Sequence, residues 1–251
     1  MIIKKLNQAV ILAGGRGERL RPLTDTIPKP MAPINGIPFL DYLLYSVIKV
    51  GIKKILILLG YKSDVIINRY KNMEDISIEF STGTEHDMTG RRLLNAYEQL
   101  DDYFLLMYGD NYWPIALDEM WFNYIQSGAT VSTTVFSNKF GTAEYGFENN
   151  VEVGKNKLVL NYNKKRENDG ANGVDIGYFI VSKESIDPII NDNISFEEDI
   201  LIKLIDNKQL VAHVTDIQYY FITNLNSLDN FKSVVLKNNY KPLPKEYFLY
   251  E

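Results

Sequence analysis

Three glycines near the start of the chain are followed by two basic residues, and this spacing suits phosphate chemistry. Gly14, Gly15 and Gly17 follow a short apolar run, and glycine permits backbone conformations that a Cβ atom forbids. A loop of this kind can bring several amide N–H groups close to an anion. Arg19 and Lys29 add two positive charges further along. The segment therefore predicts a binding site for a polyphosphate.

Two further segments contain groups that suit a phosphate-transfer site. Asp110 follows the apolar run 105–107, and a carboxylate where a buried strand ends can hold Mg²⁺, which prefers oxygen ligands. A Gly-Asp pair is also a common start of an ordinary turn. Thr89 and Gly90 precede a predicted helix, where they can either read the edge of a nucleobase or form the helix N-terminus. The residues alone leave both interpretations open.

Strands and helices alternate through the first 110 residues. The apolar patterns predict strands at 8–13, 54–59, 76–81 and 103–108, with helices at 39–50, 63–71 and 91–99 between them. Such alternation predicts an α/β fold, a Rossmann-like, mostly parallel mixed sheet flanked by helices. Because ligands bind beyond the carboxyl ends of such strands, the loops that follow residues 13, 60, 81 and 108 should share one rim.

The pattern is looser beyond residue 116. It predicts strands at 130–136, 176–181 and 210–214, a pair of strands within 149–162 joined by a turn at 154–157, and helices at 197–208 and 228–238. No linker rich in Pro, Gly or Ser divides the chain. We therefore expect one domain over residues 1–251, whose pattern changes between a first half at about 1–115 and a second half at about 116–251.

Composition excludes several other classes of protein. With 251 residues, of which 45% are hydrophobic and 24% charged, the chain has the size and make-up of a globular α/β domain. Its net charge of −5 gives no overall attraction to nucleic acid, and no apolar run is long enough for a membrane helix. It has no cysteine and only two histidines, which excludes thiolate metal sites. A cytoplasmic enzyme is the expectation.

Residues 12–31 resemble, almost residue for residue, the opening motif of the sugar-1-phosphate nucleotidyltransferases, Leu-x-Gly-Gly-x-Gly-x-Arg-Leu-x-Pro-Leu-Thr…Pro-Lys-Pro-Met. The P-loop motif and the Gly-x-Gly-x-x-Gly dinucleotide motif are both absent. Residues 88–93, followed by Tyr-Gly-Asp, are most similar to the glucose-1-phosphate cytidylyltransferase branch, although Arg91 stands where that branch has Gly. The heptose-1-phosphate guanylyltransferases are the nearest alternative branch.

The resemblance implies a nucleotide-binding half at about 1–115, a sugar-phosphate-binding half at about 116–251, and a set of site residues. The implied nucleotide-binding residues are Leu12, Ala13, Gly14, Gly15, Gly17, Arg19, Tyr61, Thr89, Gly90 and Gly109. The implied sugar-phosphate-binding residues are Tyr145, Gly146, Lys165, Asp175 and Glu197. The implied catalytic residues are Arg19, Lys29, Asp110 and Lys165, and the implied cofactor is Mg²⁺, with Asp110 and Asn224 as its ligands.

Two segments depart from the family pattern. Where the family has Phe-x-Glu-Lys-Pro, the chain has Lys164 in place of the Glu and Arg166 in place of the Pro. Thr223 stands where the family has the Asp that completes its metal site, and the adjacent Asn224 offers a neutral oxygen. An amide is a poorer Mg²⁺ ligand than a carboxylate, so these changes affect the acceptor side and the metal.

The resemblance implies transfer of a nucleotidyl group from an NTP to a sugar 1-phosphate, giving an NDP-sugar and pyrophosphate, with CTP favoured over GTP or UTP. Such a transfer depends on positioning and charge neutralisation rather than on a side-chain nucleophile. Two alternatives stay open: a non-sugar acceptor such as a polyol phosphate or phosphocholine, and a nucleotide-binding regulator that has lost turnover through Thr223. The expected partners are these small molecules, with no nucleic acid and no membrane, and a homo-oligomer is left open.

Overall fold

One sheet of seven strands runs through both halves of the chain. The computed structural model describes residues 6–167 and 169–248. The strands are β1 (Gln8–Leu12), β2 (Pro33–Ile34), β3 (Ile37–Pro38), β4 (Lys54–Leu59), β5 (Ser77–Thr82), β6 (Tyr103–Tyr108), β7 (Asn111–Tyr112), β8 (Val131–Phe136), β9 (Val151–Val153), β10 (Val159–Tyr162), β11 (Val174–Ser182), β12 (Leu210–Thr215) and β13 (Tyr220–Phe221). The α-helices are α1 (Phe39–Lys49), α2 (Ser63–Tyr70), α3 (Thr89–Asn95), α4 (Leu117–Ser127), α5 (Leu201–Asp206) and α6 (Leu225–Asn238).

The large sheet is mixed but mostly parallel, as the sequence predicts. Its strand order is β12-β8-β11-β6-β1-β4-β5, and only β11 runs antiparallel to its neighbours, β6 and β8. All five residues of β1 and all nine of β11 are buried. Strands that are covered on both faces carry near-continuous apolar runs, which is why the pattern of the sequence revealed them.

Two apolar layers cover the faces of this sheet. The first contains the buried residues of α1, α2, α4 and α6, and the second contains those of α3 and α5. Successive residues of β1 alternate between the layers, with Ala9 and Ile11 in the first and Val10 and Leu12 in the second, as the two-residue period of a strand requires. None of the described helices is long and apolar enough to cross a membrane.

The structure corrects the predicted helices in three places. The stretch after residue 116, for which no element was predicted, forms helix α4. The predicted helix at 91–99 ends at Asn95 and is followed by a short 3-10 helix, Tyr97–Gln99. The predicted helix at 197–208 starts with one turn of π-helix, Phe196–Ile200, before α5 begins.

The loops at the carboxyl ends of β1, β4 and β6 meet at one rim. The Ala13 N–H donates to the carbonyl of Leu58 over 2.9 Å, and the Tyr61 N–H donates to the carbonyl of Gly14 over 3.0 Å. On the other side, the Gly109 N–H donates to the carbonyl of Leu12 over 2.9 Å. The predicted shared rim is confirmed for these loops, and the glycine loop lies at its centre.

Candidate active site

A cavity of about 660 Å³ opens at this rim, within the size range of ligand pockets. Residues from both halves of the chain line it. Of the predicted site residues, its wall contains Leu12, Ala13, Gly14, Gly15, Gly17, Arg19, Lys29, Thr89, Gly109, Asp110 and Glu197. The fold therefore brings together the predicted phosphate-binding loop, the predicted metal ligand and one of the predicted sugar contacts.

The three glycines of the first loop serve different purposes, and only Gly17 adopts a conformation that favours glycine. Its φ is +65°, and the short 3-10 helix Glu18–Leu20 follows it directly. A Cβ atom on Gly14 would lie 2.2 Å from Nη1 of Arg92, whereas a Cβ atom on Gly15 would meet nothing within 4 Å. The expectation that all three glycines relieve backbone strain is thus wrong for Gly14 and Gly15.

Lys29 and Asp110 form an ion pair inside the cavity. Nζ of Lys29 lies 2.7 Å from Oδ2 of Asp110. The Lys29 side chain is 11% exposed and that of Asp110 is 34% exposed. Asp110 follows β6 directly, and Lys29 begins a short 3-10 helix whose start is fixed by the flanking prolines Pro28 and Pro30. One cation and one carboxylate are therefore held rigidly beside the glycine loop.

Arg19 connects the glycine loop to the second half of the chain. Its Nη1 donates to Oε1 of Glu144 over 3.0 Å and to the hydroxyl of Tyr145 over 2.8 Å. The Tyr145 ring in turn carries the guanidinium of Arg166 at 4.4 Å from its centroid, a cation–π distance. Arg19 and Tyr145, predicted to bind different substrates, are thus direct neighbours.

Glu197 provides a buried negative charge in the part of the cavity wall that the second half of the chain forms. Its carboxylate accepts hydrogen bonds from the hydroxyls of Thr89, Tyr108 and Ser195 over 2.5, 2.6 and 2.7 Å. Burial alone would raise the pKa of this carboxyl, but these donors and the nearby charge of Lys164 together lower it below its ordinary value. Glu197 is therefore ionised at neutral pH.

The hydroxyl of Thr89 is not free. It connects the start of α3 to residues 196 and 197 of the second half of the chain. This hydroxyl donates to Glu197 and accepts from the Phe196 N–H over 2.8 Å. Gly90 lies outside the cavity wall, and a Cβ atom there would lie 2.8 Å from the carbonyl of Ile194. Gly90 therefore permits close packing of α3 against the segment before Ser195.

Asp175 lies in β11, outside the cavity wall. Its Oδ1 accepts from the Thr133 hydroxyl and from the Gly177 N–H, both over 3.0 Å, and its Oδ2 accepts from the Tyr162 hydroxyl over 3.2 Å. Burial raises the pKa of the Asp175 carboxyl to about 6 in spite of these hydrogen bonds. These hydrogen bonds connect β11 to β8 and to Tyr162, which lines the smaller pocket.

Lys165 lies in a smaller side pocket of about 160 Å³. Lys164 lines both this pocket and the main cavity, and Glu197 also contributes to both. Nζ of Lys164 lies 3.5 Å from a carboxylate oxygen of Glu198. Of the two neighbouring lysines 164 and 165, Lys164 is therefore the one that reaches the main cavity. It stands where the family has Glu.

Three other predicted residues have structural contacts outside the cavity wall. The Tyr61 hydroxyl donates to the carbonyl of Thr24 over 2.9 Å and so supports the glycine loop from behind. The carbonyl of Gly146, a residue with a φ of +62°, accepts from Asn138 in a turn. The Asn224 side chain caps α6 by accepting from the Ser227 N–H over 3.0 Å. The neighbouring Thr223 lines the cavity instead.

Arg92 is a cavity-lining residue that the sequence reasoning missed. Its guanidinium is buried, and among residues 6–167 and 169–248 its hydrogen bonds all go to backbone carbonyls. The Met-Thr-Gly-x-Arg-Leu string contained it, but that string was interpreted through Thr89 and Gly90. Arg16 and Glu85 also line the cavity and form an ion pair with each other.

An α/β sheet with a glycine loop, two cations and a carboxylate at the carboxyl-end rim defines a phosphate-binding protein. The comparison with protein families agrees with this class. A family model described as Nucleotidyl transferase matches residues 8–227. The chain belongs to the nucleotidyl transferase family.

Individual relatives are similar over different shares of their length. D-glycero-alpha-D-manno-heptose 1-phosphate guanylyltransferase of Aneurinibacillus thermoaerophilus is 28% identical over 86% of this chain and 91% of its own. The bifunctional protein GlmU of Methanocaldococcus jannaschii is 32% identical over 74% of this chain. The chain spans only 43% of the length of that GlmU.

A solved structure shares the fold. The crystal structure of HddC from Yersinia pseudotuberculosis superposes with a TM-score of 0.75 at 24% identity, over 91% of this chain and 99% of HddC. This likeness shows the fold.

Proposed function

We propose that this chain transfers a nucleotidyl group from a nucleoside triphosphate to a sugar 1-phosphate. The observation that carries the proposal is the Lys29–Asp110 ion pair, held beside the glycine loop in a cavity whose other half contains the ionised Glu197. Phosphate groups and sugar hydroxyls are the chemistry that these two ends complement.

The proposed roles follow from charge and position. The amide groups of the glycine loop and Arg19 bind the triphosphate, and Lys29 neutralises charge at the α-phosphate. An oxygen of the sugar phosphate attacks the α-phosphorus in line, the bond to the β-phosphate oxygen breaks, and pyrophosphate leaves from the opposite side. The attacking phosphate is already an anion, so no side chain is needed to deprotonate it.

The part of the cavity wall that the second half of the chain forms would bind the sugar phosphate. Glu197 accepts hydrogen bonds from sugar hydroxyls, and Lys165 and Lys164 attract the phosphate toward the cavity. Tyr145 lies beside Arg19, where it can close over the sugar. Asp175 acts indirectly, through its hydrogen bond to Tyr162 beside Lys165.

The residues of the cavity fit Mg²⁺ when the nucleotide supplies most of the ligands. The part of the chain that the structure describes contains no group of three His, Asp or Glu side chains that could hold a metal. Asp110 and Glu18 are carboxylates of the cavity wall near the glycine loop, and Thr223 lines the same cavity. Asp110 would hold the ion together with phosphate oxygens, and the ion would neutralise charge on the phosphates.

GTP is the nucleotide to test first. The guanylyltransferase relative aligns with 86% of this chain, which favours GTP over the CTP that the Met-Thr-Gly segment suggests. Glu85 and Asp87 also line the cavity, but Glu85 is paired with Arg16 and Asp87 accepts hydrogen bonds from Thr84 and Asn95. The choice of GTP therefore rests on the alignment with the guanylyltransferase.

Pyrophosphate release tests the proposal. The chain should be incubated with Mg²⁺, each of the four nucleoside triphosphates and a panel of sugar 1-phosphates, polyol phosphates and phosphocholine. We expect release only with a sugar 1-phosphate present, and Lys29→Met should lower the rate at least about tenfold. Nucleotide binding without release from any acceptor would contradict the proposal and indicate a regulator.

A further inference from the structure

A buried guanidinium lies behind the glycine loop. Arg92 of α3 is 5% exposed. Its Nη1 donates to the carbonyl of Leu59 over 2.6 Å, and its Nη2 donates to the carbonyls of Thr84 and Gly14 over 2.9 and 3.2 Å. Within residues 6–167 and 169–248 no carboxylate forms an ion pair with it, and Asp87 acts only through the field of its charge. The buried cation is thus bound by uncharged groups.

The three carbonyls belong to three neighbouring strand ends. Gly14 follows β1, Leu59 ends β4 and Thr84 follows β5, and these strands are adjacent in the sheet. A guanidinium carries five N–H donors in one rigid plane, whereas an ammonium group is a compact point charge. Arg92 can therefore tie the three loops together in a way that lysine cannot.

Two glycines make room for this side chain. A Cβ atom on Gly14 would lie 2.2 Å from Nη1 of Arg92, and one on Gly60 would lie 2.6 Å from the same atom. Neither glycine has a positive φ, so neither is required by an unusual backbone conformation. The guanidinium occupies the space that a side chain at either position would need, and at Gly60 the Cβ atom would also lie 2.7 Å from the carbonyl oxygen of Gly14.

The hydrogen bond to Gly14 also orients the loop toward the cavity. In a trans peptide the carbonyl and the following N–H point in opposite directions. Arg92 and the Tyr61 N–H both hold the Gly14 carbonyl on one side, so the Gly15 N–H points to the opposite side. An anion in the cavity would then meet an N–H group, with a positive charge behind it.

We propose that Arg92 is a positioning residue for the triphosphate. It fixes the loops after β1, β4 and β5 in the arrangement that presents N–H groups to the phosphates, and it places an uncompensated positive charge beneath them. The choice of the triphosphate as ligand rests on the proposed function. The three-loop clasp, which consists of the hydrogen bonds from Arg92 to the carbonyls of Gly14, Leu59 and Thr84, does not depend on the proposed function.

Hydrogen exchange of the protein without nucleotide tests the clasp directly. Arg92→Lys keeps the charge but loses the planar fork, Arg92→Met loses both, and Arg91→Lys on the same helix is the matched control. In both Arg92 variants we expect amide exchange to rise about tenfold in peptides covering 12–20 and 80–88, with peptides of β8 and β12 unchanged. Unchanged exchange in a folded Arg92→Lys protein would overturn the proposal, whatever nucleotide the protein uses.

Calorimetry with Mg²⁺ and GTP then tests the consequence for binding. We expect the Kd for GTP to rise at least tenfold in Arg92→Met and less in Arg92→Lys, while the KM for the acceptor at saturating GTP changes less than twofold. An equal loss for nucleotide and acceptor would indicate general damage and overturn the positioning role. If Arg92→Met does not fold, Arg92→Lys decides. If the wild type binds no GTP, the nucleotide assignment fails, and the exchange result still decides the clasp.

Discussion

At the scale of single residues, the glycines of the first loop are constrained by different neighbours. Gly17 has a positive φ, Gly14 faces a buried guanidinium and Gly15 faces open space in the cavity. A motif treats the three as equivalent, but their physical requirements differ. The same substitution should therefore have a different consequence at each position.

Alanine at residues 14 and 15 separates stability from ligand binding. Gly14→Ala pushes against Arg92 and weakens its three hydrogen bonds, so we expect unfolding to become easier by about 2 kcal/mol. Gly15→Ala should leave the free energy of unfolding unchanged but raise the KM for the nucleotide about tenfold, because its methyl group enters the cavity. Thermal unfolding and nucleotide-dependent rates measure the two effects. Equal loss of stability in both variants would contradict this assignment.

Asp175 is a residue whose charge destabilises the fold at neutral pH. Burial raises its pKa to about 6 in the folded protein, above the ordinary value of an aspartic acid side chain. A raised folded-state pKa means that the folded protein binds the proton more tightly than the unfolded chain. The stabilisation that the protonated Asp175 carboxyl gives the folded protein is fully present below about pH 4 and is lost as the pH rises through about 6.

Asp175→Asn should remove this pH dependence. The amide oxygen can still accept from Thr133 and Gly177, and the Tyr162 hydroxyl can accept from the new NH₂ group. Above pH 6 we expect the variant to be more stable than the wild type by about 2 to 3 kcal/mol, with the difference shrinking toward pH 4. Urea unfolding at a series of pH values measures it. A difference that does not vary with pH would show that the Asp175 charge carries no such penalty.

At the scale of elements, α6 explains the side chain of Asn224. Asn224 and Ser227 form a reciprocal capping box, in which each side chain accepts from the backbone N–H of the other residue. Asn is among the best N-cap residues. The resemblance suggests a metal ligand at this position. In the structure its amide oxygen instead accepts a hydrogen bond from the Ser227 N–H, three residues along, at the start of α6.

Asn224→Ala distinguishes the cap from the metal ligand. We expect it to lower the free energy of unfolding by about 1 kcal/mol and to leave the Mg²⁺ concentration for half-maximal rate unchanged. Asp110→Asn should have the opposite pattern, with little loss of stability and a sharply higher Mg²⁺ requirement. Thermal unfolding and magnesium titration of the rate measure both variants. A higher Mg²⁺ requirement in Asn224→Ala would restore it as a ligand.

The sequence predicted the elements whose burial is simple and missed those whose burial is mixed. Strands β1, β4 and β6 are mostly buried on both faces, so short apolar runs marked them. Helix α4 buries Leu117, Met120 and Tyr124, but it also exposes Phe122 by 63% and Ile125 by 43%. Exposed apolar residues obscure the helical period, and no helix was predicted there.

The candidate site divides in the same way. The glycine loop and Asp110 were predictable because they follow strands whose carboxyl ends must share a rim. Arg92 was not, because its role depends on carbonyls at residues 14, 59 and 84, which only the folded sheet brings together. Local patterns report local structure, whereas a buried hydrogen-bond network is a property of the tertiary fold.

At the scale of the whole molecule, polar contacts connect the two halves around the cavity. Arg19 of the first half bonds to Glu144 and Tyr145 of the second, and Thr89 bonds to Glu197. The Arg19 contact matters for binding because a triphosphate would need the same guanidinium. Nucleotide binding must therefore compete with Glu144.

Glu144→Gln should consequently tighten nucleotide binding. The variant removes the negative charge that Arg19 faces at 3.0 Å but keeps a side chain of the same shape. Because Arg19 is largely exposed, the pair is weak, and we expect the Kd for the nucleotide to fall about two- to fivefold in low salt. Salt screens exposed pairs, so the gain should shrink in 0.5 M salt, roughly three times physiological ionic strength. Glu148→Gln, an exposed carboxylate on the same loop, is the control and should leave the Kd unchanged. Calorimetry at both salt concentrations measures the effect, and a Kd that rises in Glu144→Gln would mean that Glu144 orients Arg19 for the phosphates instead of competing with them.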